Sequence, residues 1–380
     1  MANTLSDLYP DLYEAFEVTS RERVGYLSAV TMSTSVARAA VGETVRAPVT
    51  RAHAAADTTP GVTPPDTGDT TVDNVPIQIT KSRHVPIRFN GEETKGLINA
   101  GTYSNIRAAR IGQAIRTLTN EMEADIHALL KAGSSRAYGT AGTAPFGTAG
   151  DLSDFAQVAK ILDVNGAPKL DWQLVLGHNA IANLRGKQSV LFKVNEAGSS
   201  DMLRNGMTDR IQNFAIRHSD AVDVHTKGNG TSYQLSAAGS IGDTTISVDT
   251  GSGTILAGDV ITIAGTADKY VVNSALSGGS FTIGGPGLVA AEADNDAVTV
   301  GNSYTPNLAF DRSAIVFAER APALPQDGDM ASMRTTVQDP ISGLIFDLAY
   351  YPQFMQGSWL LFAAWGGAVI QSEHVATLIG

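Results

Sequence analysis

The chain has 380 residues, 43% of them hydrophobic and 17% charged, with no cysteine and a formal net charge of −11. That length is more than one hydrophobic core commonly serves, so two to three structural units are expected. Without cysteine there are no disulfides and no thiolate metal sites; the acidic balance argues against a surface that grips phosphates throughout, and no apolar run approaches the ~18 to 20 residues of a membrane span.

The first residues, Met-Ala-Asn-Thr-Leu-Ser-Asp, lack the basic and apolar regions of a cleaved secretory signal, so the protein is expected to stay where it is made. Residues 4–17 are predicted as a short helix, capped by Ser6, with Leu8, Leu12 and Phe16 on one face. Both an amphipathic arm and an ordinary core helix fit that stripe.

Residues 43–51 (Glu-Thr-Val-Arg-Ala-Pro-Val-Thr-Arg) and 71–89 are rich in β-formers, and the stretch 57–70 between them holds Pro60, Gly61, Pro64, Pro65 and Gly68. This predicts a long hairpin. Its second arm alternates Val75, Ile77 and Ile79 with polar residues and then carries Lys81, Arg83, His84 and Arg88. Two strands without a third partner are marginal in water, so the hairpin is expected to rest on another surface. Its basic residues either meet an acidic neighbour or form a solvated edge that blocks aggregation.

Residues 102–132 carry the strongest helical pattern, with Ile111, Ile115, Leu118, Met122, Ile126 and Leu129 at steps of three and four. Thr102 or Ser104 can cap this helix and Gly133 can end it; about 30 residues at 1.5 Å each make a rod of roughly 45 Å. A Gly, Ala and Thr-rich linker over 133–150 follows, and its glycines are expected to serve as a flexible joint. Ser153 can cap a helix bearing Phe155, Val158, Ile161 and Leu162, which Asn165-Gly166 ends. A strand over 172–176, a short helix over 179–184 and a strand over 214–216 complete a mixed α/β unit.

From about Val222 the texture changes: residues 222–304 hold fourteen of the thirty-eight glycines, no arginine, and eight acids against Lys227 and Lys269. Short β runs at 231–236, 244–248, 259–264, 269–274, 280–283 and 297–301 predict a small six-stranded barrel. Denser apolar strands resume at 314–317, 333–337, 344–351 and 359–369, so the barrel reads as an insertion.

Signatures of common chemistry do not occur: there is no His-Glu-x-x-His, no Gly-x4-Gly-Lys-Ser/Thr, no Gly-x-Ser-x-Gly and no Gly-x-Gly-x-x-Gly. Glu292, Asp294 and Asp296 match the first positions of a calcium loop, but Ala297 stands where that loop needs glycine and Ser303 where it needs the bidentate glutamate. Asp223 and His225 share a strand face without a third ligand. His127 and His374 lie beside acids on ordinary segments and read as structural. A carbohydrate-binding or adhesive β protein is the alternative suggested by the Thr and Gly-rich insertion; the long helix and the absence of an internal repeat argue against it.

The order of arm, long basic hairpin, spine helix, α/β domain, acidic β insertion and terminal strands resembles the tailed-bacteriophage major capsid (coat) proteins of the Hong Kong 97 type, in particular short-tailed-phage coat proteins with an inserted β-barrel. Local stretches that carry it are Ala257-Gly258-Asp259-Val260-Ile261-Thr262-Ile263-Ala264-Gly265, the Arg204-Asn205-Gly206 turn leading to Phe214, and Trp365-Gly366-Gly367-Ala368-Val369. The resemblance implies an α+β fold: an N-terminal arm over 1–40, an E-loop hairpin over 41–98, a P domain with the spine helix over 99–150 joined by strands returning from 330–380, an A domain from 151–222 and 305–380, and an inserted small antiparallel β-barrel over 223–304.

It further implies a structural protein and not an enzyme. Copies self-assemble into the hexamers and pentamers of an icosahedral shell around double-stranded DNA, without sequence-specific binding, and a procapsid expands by rigid-body subunit movement. Implied partners are further copies, a separate scaffolding protein and a portal, with room for a decoration protein. No membrane, cofactor or metal is implied, and the place is a virion capsid assembled in the host bacterial cytoplasm. A start at Met1 with no coiled-coil stretch ahead of the arm points to separate scaffolding without trimming, and no residue can be assigned to a covalent cross-link. Arg46, Arg51, Lys81, Arg83 and Arg88 are the candidate inter-subunit contacts.

Overall fold

The computed structural model describes residues 25–49, 73–99, 103–188, 210–338 and 343–380, with isolated positions between 55 and 62. The helix expected over 4–17, Thr102, Arg51, most of the stretch 57–70 and the Arg204-Asn205-Gly206 turn lie outside these residues.

The first part of the chain runs through strands β1 (Thr31–Ala39), β2 (Thr44–Val49), β3 (Asp73–Gln78) and β4 (Lys81–Asn90), then helices α1 (Gly91–Asn99) and α2 (Tyr103–Ala132). Next come β5 (Arg136–Gly139), α3 (Ser153–Val164), β6 (Trp172–Leu176), α4 (His178–Lys187), β7 (Arg210–Ile211) and β8 (Phe214–His218). Six strands fall in the acidic stretch: β9 (Tyr233–Leu235), β10 (Thr245–Asp249), β11 (Val260–Ile263), β12 (Lys269–Ser277), β13 (Ser280–Ile283) and β14 (Ala297–Val300). The chain closes with β15 (Pro306–Asp311), β16 (Ile315–Pro322), β17 (Met333–Gln338), β18 (Ile345–Gln353), β19 (Gln356–Val369) and β20 (Val375–Ile379).

The organising element is α2, whose apolar row lies against a sheet ordered β1-β16-β19-β18-β17, with β4 on the other edge of β19. Ile111, Ile115, Leu118, Met122, Ile126 and Leu130 are buried in one cluster with Trp359, Leu361, Ala363 and Trp365. Those four β19 residues are every second one along the strand, so the period of two on β19 meets the steps of three and four on α2. Each fully buried aliphatic here contributes about 1.5–3 kcal/mol. Leu129, expected in the row, packs at its margin, and Leu130 takes the buried place.

A second sheet continues β5-β20-β15-β6-β8-β7, with α3 packed on β20 and β5. Phe146, Phe155, Trp172 and Phe214 form its aromatic core. The acidic stretch pairs in the order β11-β14-β9-β10-β13-β12, and β12 pairs again with β11, so the ladder returns to its start. Its core is almost wholly aliphatic and aromatic. It joins the second sheet through Tyr270 opposite Arg136 and through a packed cluster of Ala137, Val260, Val271, Tyr304 and Ile379.

Four local expectations differ from the structure. Residues 31–39, within the segment expected as an arm, form a strand parallel to β16; its run Thr-Met-Ser-Thr-Ser carries no apolar alternation, and its place is fixed by backbone pairing to an edge. The second arm of the hairpin is two strands: β3 pairs with β2, while β4 leaves to pair with β19. Residues 133–139 are not a loose linker, since Ser134 and Ser135 are fully buried and the Ser135 hydroxyl donates to Val375 O at 2.7 Å. Ser153 is the first helical residue and not the cap; its N–H donates to Asp151 Oδ1 at 2.8 Å, and Leu152 stands at the N-cap.

Candidate assembly interface

Among the described residues, the ribbon of β2 and β3 pairs with no third strand: Thr44 faces Gln78 and Val49 faces Asp73, with alternate β2 residues exposed. Its inner face is anchored on the face of the first sheet opposite α2, where Ile77 and Ile79 are buried with Ala39, Ala318 and Ala364, and half-buried Val45 and Ala47 pack against them. The chain turns there because its backbone groups are claimed on both sides: Ile79 N donates to Glu43 O at 2.9 Å and Thr80 N to Trp365 O at 3.0 Å. Gly366 is required at this crossing, since a Cβ there would sit 1.9 Å from Gln78 O. The ribbon thus leaves the body from a rigid root.

Below it, β4 is clamped to the acidic side of α2. Lys81 Nζ lies 2.8 Å from Asp125 Oδ1 and 3.4 Å from Glu121 Oε1, and Arg83 Nε lies 3.0 Å from Glu121 Oε1. Asp125 also accepts from Trp365 Nε1 at 2.7 Å, tying helix, β4 and β19 together. The hydrogen bond to Asp125 holds the Lys81 ammonium above the ordinary lysine range. Of the five candidate contact residues, then, the structure brings Lys81 and Arg83 together on their own chain's helix. Arg46 on the ribbon and Arg88 on β4 are exposed and lie apart from that clamp, and Arg51 is outside the described residues.

Sequence reasoning missed two features. One is the hairpin tip between β18 and β19, where Phe354 is 94% and Met355 71% exposed. Beside its root, β4, α1 and α2 border a groove of about 680 Å³ lined by Ile87, Phe89, Leu97, Ile106, Arg110 and Thr117. A Phe-Met pair at a turn reads as core in sequence, and only the register of β18 on β19, with Gln353 opposite Gln356, puts it at a tip.

The other is a set of buried ionisable anchors. Glu123 of α2 accepts from Tyr26 N (3.1 Å), Leu27 N (3.0 Å) and the Ser219 hydroxyl (2.8 Å). Burial pushes its carboxyl up against those three bonds, which pull it down. One turn on, His127 Nδ1 lies 2.7 Å from the Tyr26 hydroxyl, and burial lowers the His127 imidazole to about 3. In the first sheet, fully buried Asp347 is bonded by Arg38 at 2.8 Å and by Arg334, which also reaches Asp329.

The weaker sequence candidates separate. His225 pairs with buried Asp259 at 2.9 Å and not with Asp223. Asp259 also accepts from Leu256 N at 2.7 Å and Gly228 N at 3.1 Å, closing the base of the strand ring. Glu292 bonds the Thr266 hydroxyl at 3.2 Å, while Asp296 caps Ala293 N at 2.7 Å, so these acids serve turns of the chain. His374 is buried in the short turn before β20.

No family model and no curated protein matches the sequence. Solved structures do. The capsid of the cyanophage P-SCSP1u matches with a TM-score of 0.50 at 11% identity, over 94% of this chain and 88% of that one. A chain of Mycobacterium phage Che8 matches at 0.47 and 12% identity over 89% and 84%, and the capsid of Ralstonia phage GP4 at 0.46 and 10% over 92% and 86%. The chain has the fold of tailed-phage capsid proteins, with mixed helix and strand content.

Proposed function

We propose that this chain is a major capsid protein, a Hong Kong 97-type subunit that assembles with copies of itself into an icosahedral shell around the double-stranded DNA of a tailed phage. The observation that carries this reading is the capsid fold spanning 94% of the chain. In it, the arm lies within 1–40 ahead of β1 and the E-loop is the β2 and β3 ribbon within 41–98, while β1 and β4 belong to the sheet under the spine helix; 99–150 with strands from 330–380 are the P domain, 151–222 and 305–380 the A domain, and 223–304 an inserted β-barrel. The ribbon on its anchored root is shaped to lie on a neighbour. Arg46, Arg51, Lys81, Arg83 and Arg88 form the contact set, with Lys81 and Arg83 bracing the root and exposed Arg46 and Arg88 meeting acidic surface. A net charge of −11 keeps packaged DNA from sticking to the shell.

Assembly in the host cytoplasm with a separate scaffolding protein and a portal, followed by expansion through rigid-body movement, completes the proposal. The test is negative-stain electron microscopy with sedimentation of the purified protein, with and without a co-expressed scaffolding candidate. Uniform shells, tubes or capsomer rings are expected. A protein that stays monomeric under every condition overturns the reading and turns attention to the strand ring as a binding module.

A further inference from the structure

The C-terminal ends of β6 and β8 place three potential metal ligands together. These strands are parallel neighbours, with Leu176 opposite His218, and the pairing extends one step further through Ser219 N to Leu176 O. His178 follows β6 at the first residue of α4, and Asp220 follows β8 in the next turn. His218 Nε2 lies 2.9 Å from His178 Nδ1, the rings meet edge to face with centroids 4.6 Å apart, and His178 Nε2 lies 3.0 Å from Asp220 Oδ1. One donor atom from each of the three lies within 4.8 Å of the others.

We propose that His178, His218 and Asp220 form a binding site for a divalent transition-metal ion of the zinc type, with the remaining coordination positions left to water. Two imidazoles and a carboxylate are the donor set such ions take, at about 2.0–2.2 Å per ligand. Nitrogen ligands of a tetrahedral ion stand roughly 3.3 Å apart on those bond lengths, so the rings need part by only a few tenths of an ångström from 2.9 Å. The ion enters between two nitrogens that already converge, and Asp220 moves from the ring of His178 to the ion. The three backbone positions are set by one parallel ladder, so no loop has to close to build the site. The exposed setting of all three side chains leaves an open path for the ion and little desolvation to overcome.

Placement at the carboxyl ends of adjacent parallel strands is where open α/β sheets gather ligands. Two other described histidines are engaged differently: His225 with Asp259 and His127 with Tyr26, both within the core.

The test is isothermal titration of zinc chloride into the full-length protein at pH 7.5, with His178→Ala, His218→Ala and the control His84→Ala, each checked for folding by circular dichroism. The expected result is one equivalent bound by wild type and by the control, with affinity falling on the order of tenfold or more in each of the two site variants. Cobalt substitution should give visible absorption that both site variants lose. Absence of saturable binding at millimolar zinc, or equal affinity in wild type and both site variants, overturns the proposal. Neither result depends on whether the protein forms shells.

Discussion

The helix-and-sheet body and the six-stranded ring solve the folding problem in opposite ways. In the body, partners are far apart in sequence: β1 pairs with β16, β4 with β19, and Glu123 of α2 holds the backbone of residues near 26 and the hydroxyl of Ser219. Its interior keeps charges, with Glu123, Glu319 and Asp347 all buried. In the ring, all six strands come from about seventy residues, every pairing is antiparallel, and the buried charged groups, Asp259 and Glu292, bond nearby turns of the same stretch. The difference teaches that the body is specified by a few long-range polar anchors laid over an apolar base. The ring follows mainly from local alternation, with short-range polar contacts at its turns and at its neck.

The hardest test of that contrast is Trp365→Ala. This side chain is fully buried between α2 and β19 and donates to Asp125, so its loss should cost about 3–5 kcal/mol, read by urea denaturation. Amide exchange should rise throughout α2 and β19 while peptides of the ring stay protected; equal loss of protection in the ring would mean that the two regions unfold as one.

The converse is Asp259→Ala at the neck. It strips the acceptor from His225 Nε2, Gly228 N and Leu256 N; exposed Leu256 can turn to water, and the two buried donors left dry cost about 1–3 kcal/mol each, so we expect a loss of about 2 kcal/mol or more. Here exchange should rise across β9 to β14 and leave α2 unchanged. A shift of α2 by the same amount would refute the separation from the other side.

These two regions also differ in how much of them the sequence disclosed. The ring's strands fall where the short alternating runs predicted them, because each strand is paired to near neighbours and faces one core, so period two survives undisturbed. The long helix was as legible, for its row of six apolar residues spans the whole length of the sheet it covers. β1 was not: Thr-Met-Ser-Thr-Ser has no pattern, and what makes it a strand is an edge of β16 nearly three hundred residues away. The division of the basic arm into β3 and β4 was hidden for the same reason, since the turn at Ile79 and Thr80 is set by Glu43 and Trp365. Of the candidate contacts, charge singled out Lys81 and Arg83 but could not name Glu121 and Asp125 of the same chain as groups they meet. The convergence of His178, His218 and Asp220 carried no local signal at all, being created by the register of two parallel strands.

A third test uses pH. Burial holds the His127 imidazole at about 3 in the folded chain, against about 6.5 when unfolded. Between those values the unfolded chain binds a proton that the folded one does not, so this group's contribution is full above about 6.5 and is lost as pH falls toward 3. Glu123 acts with the opposite sign, because folding raises its pKa. His127→Gln, which keeps an acceptor for Tyr26, should therefore flatten the acid limb of the stability curve between pH 6.5 and 4; an unchanged slope in urea titrations across that range would show that His127 is accessible to water in the native state.

The smallest effect belongs to the clamp on β4. Lys81 and its partners are a quarter to a third exposed, and screening at such sites holds an ion pair to about 0.2–1 kcal/mol. A double-mutant cycle of Lys81→Met with Asp125→Asn should return a coupling within that range, and it should shrink in 1 M salt, where the screening length is about 3 Å. Trp365 donates to the same carboxyl in every corner of the cycle except those carrying asparagine, where the amide oxygen still accepts, so the coupling isolates the lysine. A value above about 2 kcal/mol, insensitive to salt, would place Lys81 among the anchors of the body and remove it from the charges offered to a neighbour. A value near the low end means that Lys81 can trade Asp125 for an acidic group on an adjoining copy at almost no cost, and the assembly assay on Lys81→Met then measures that exchange directly.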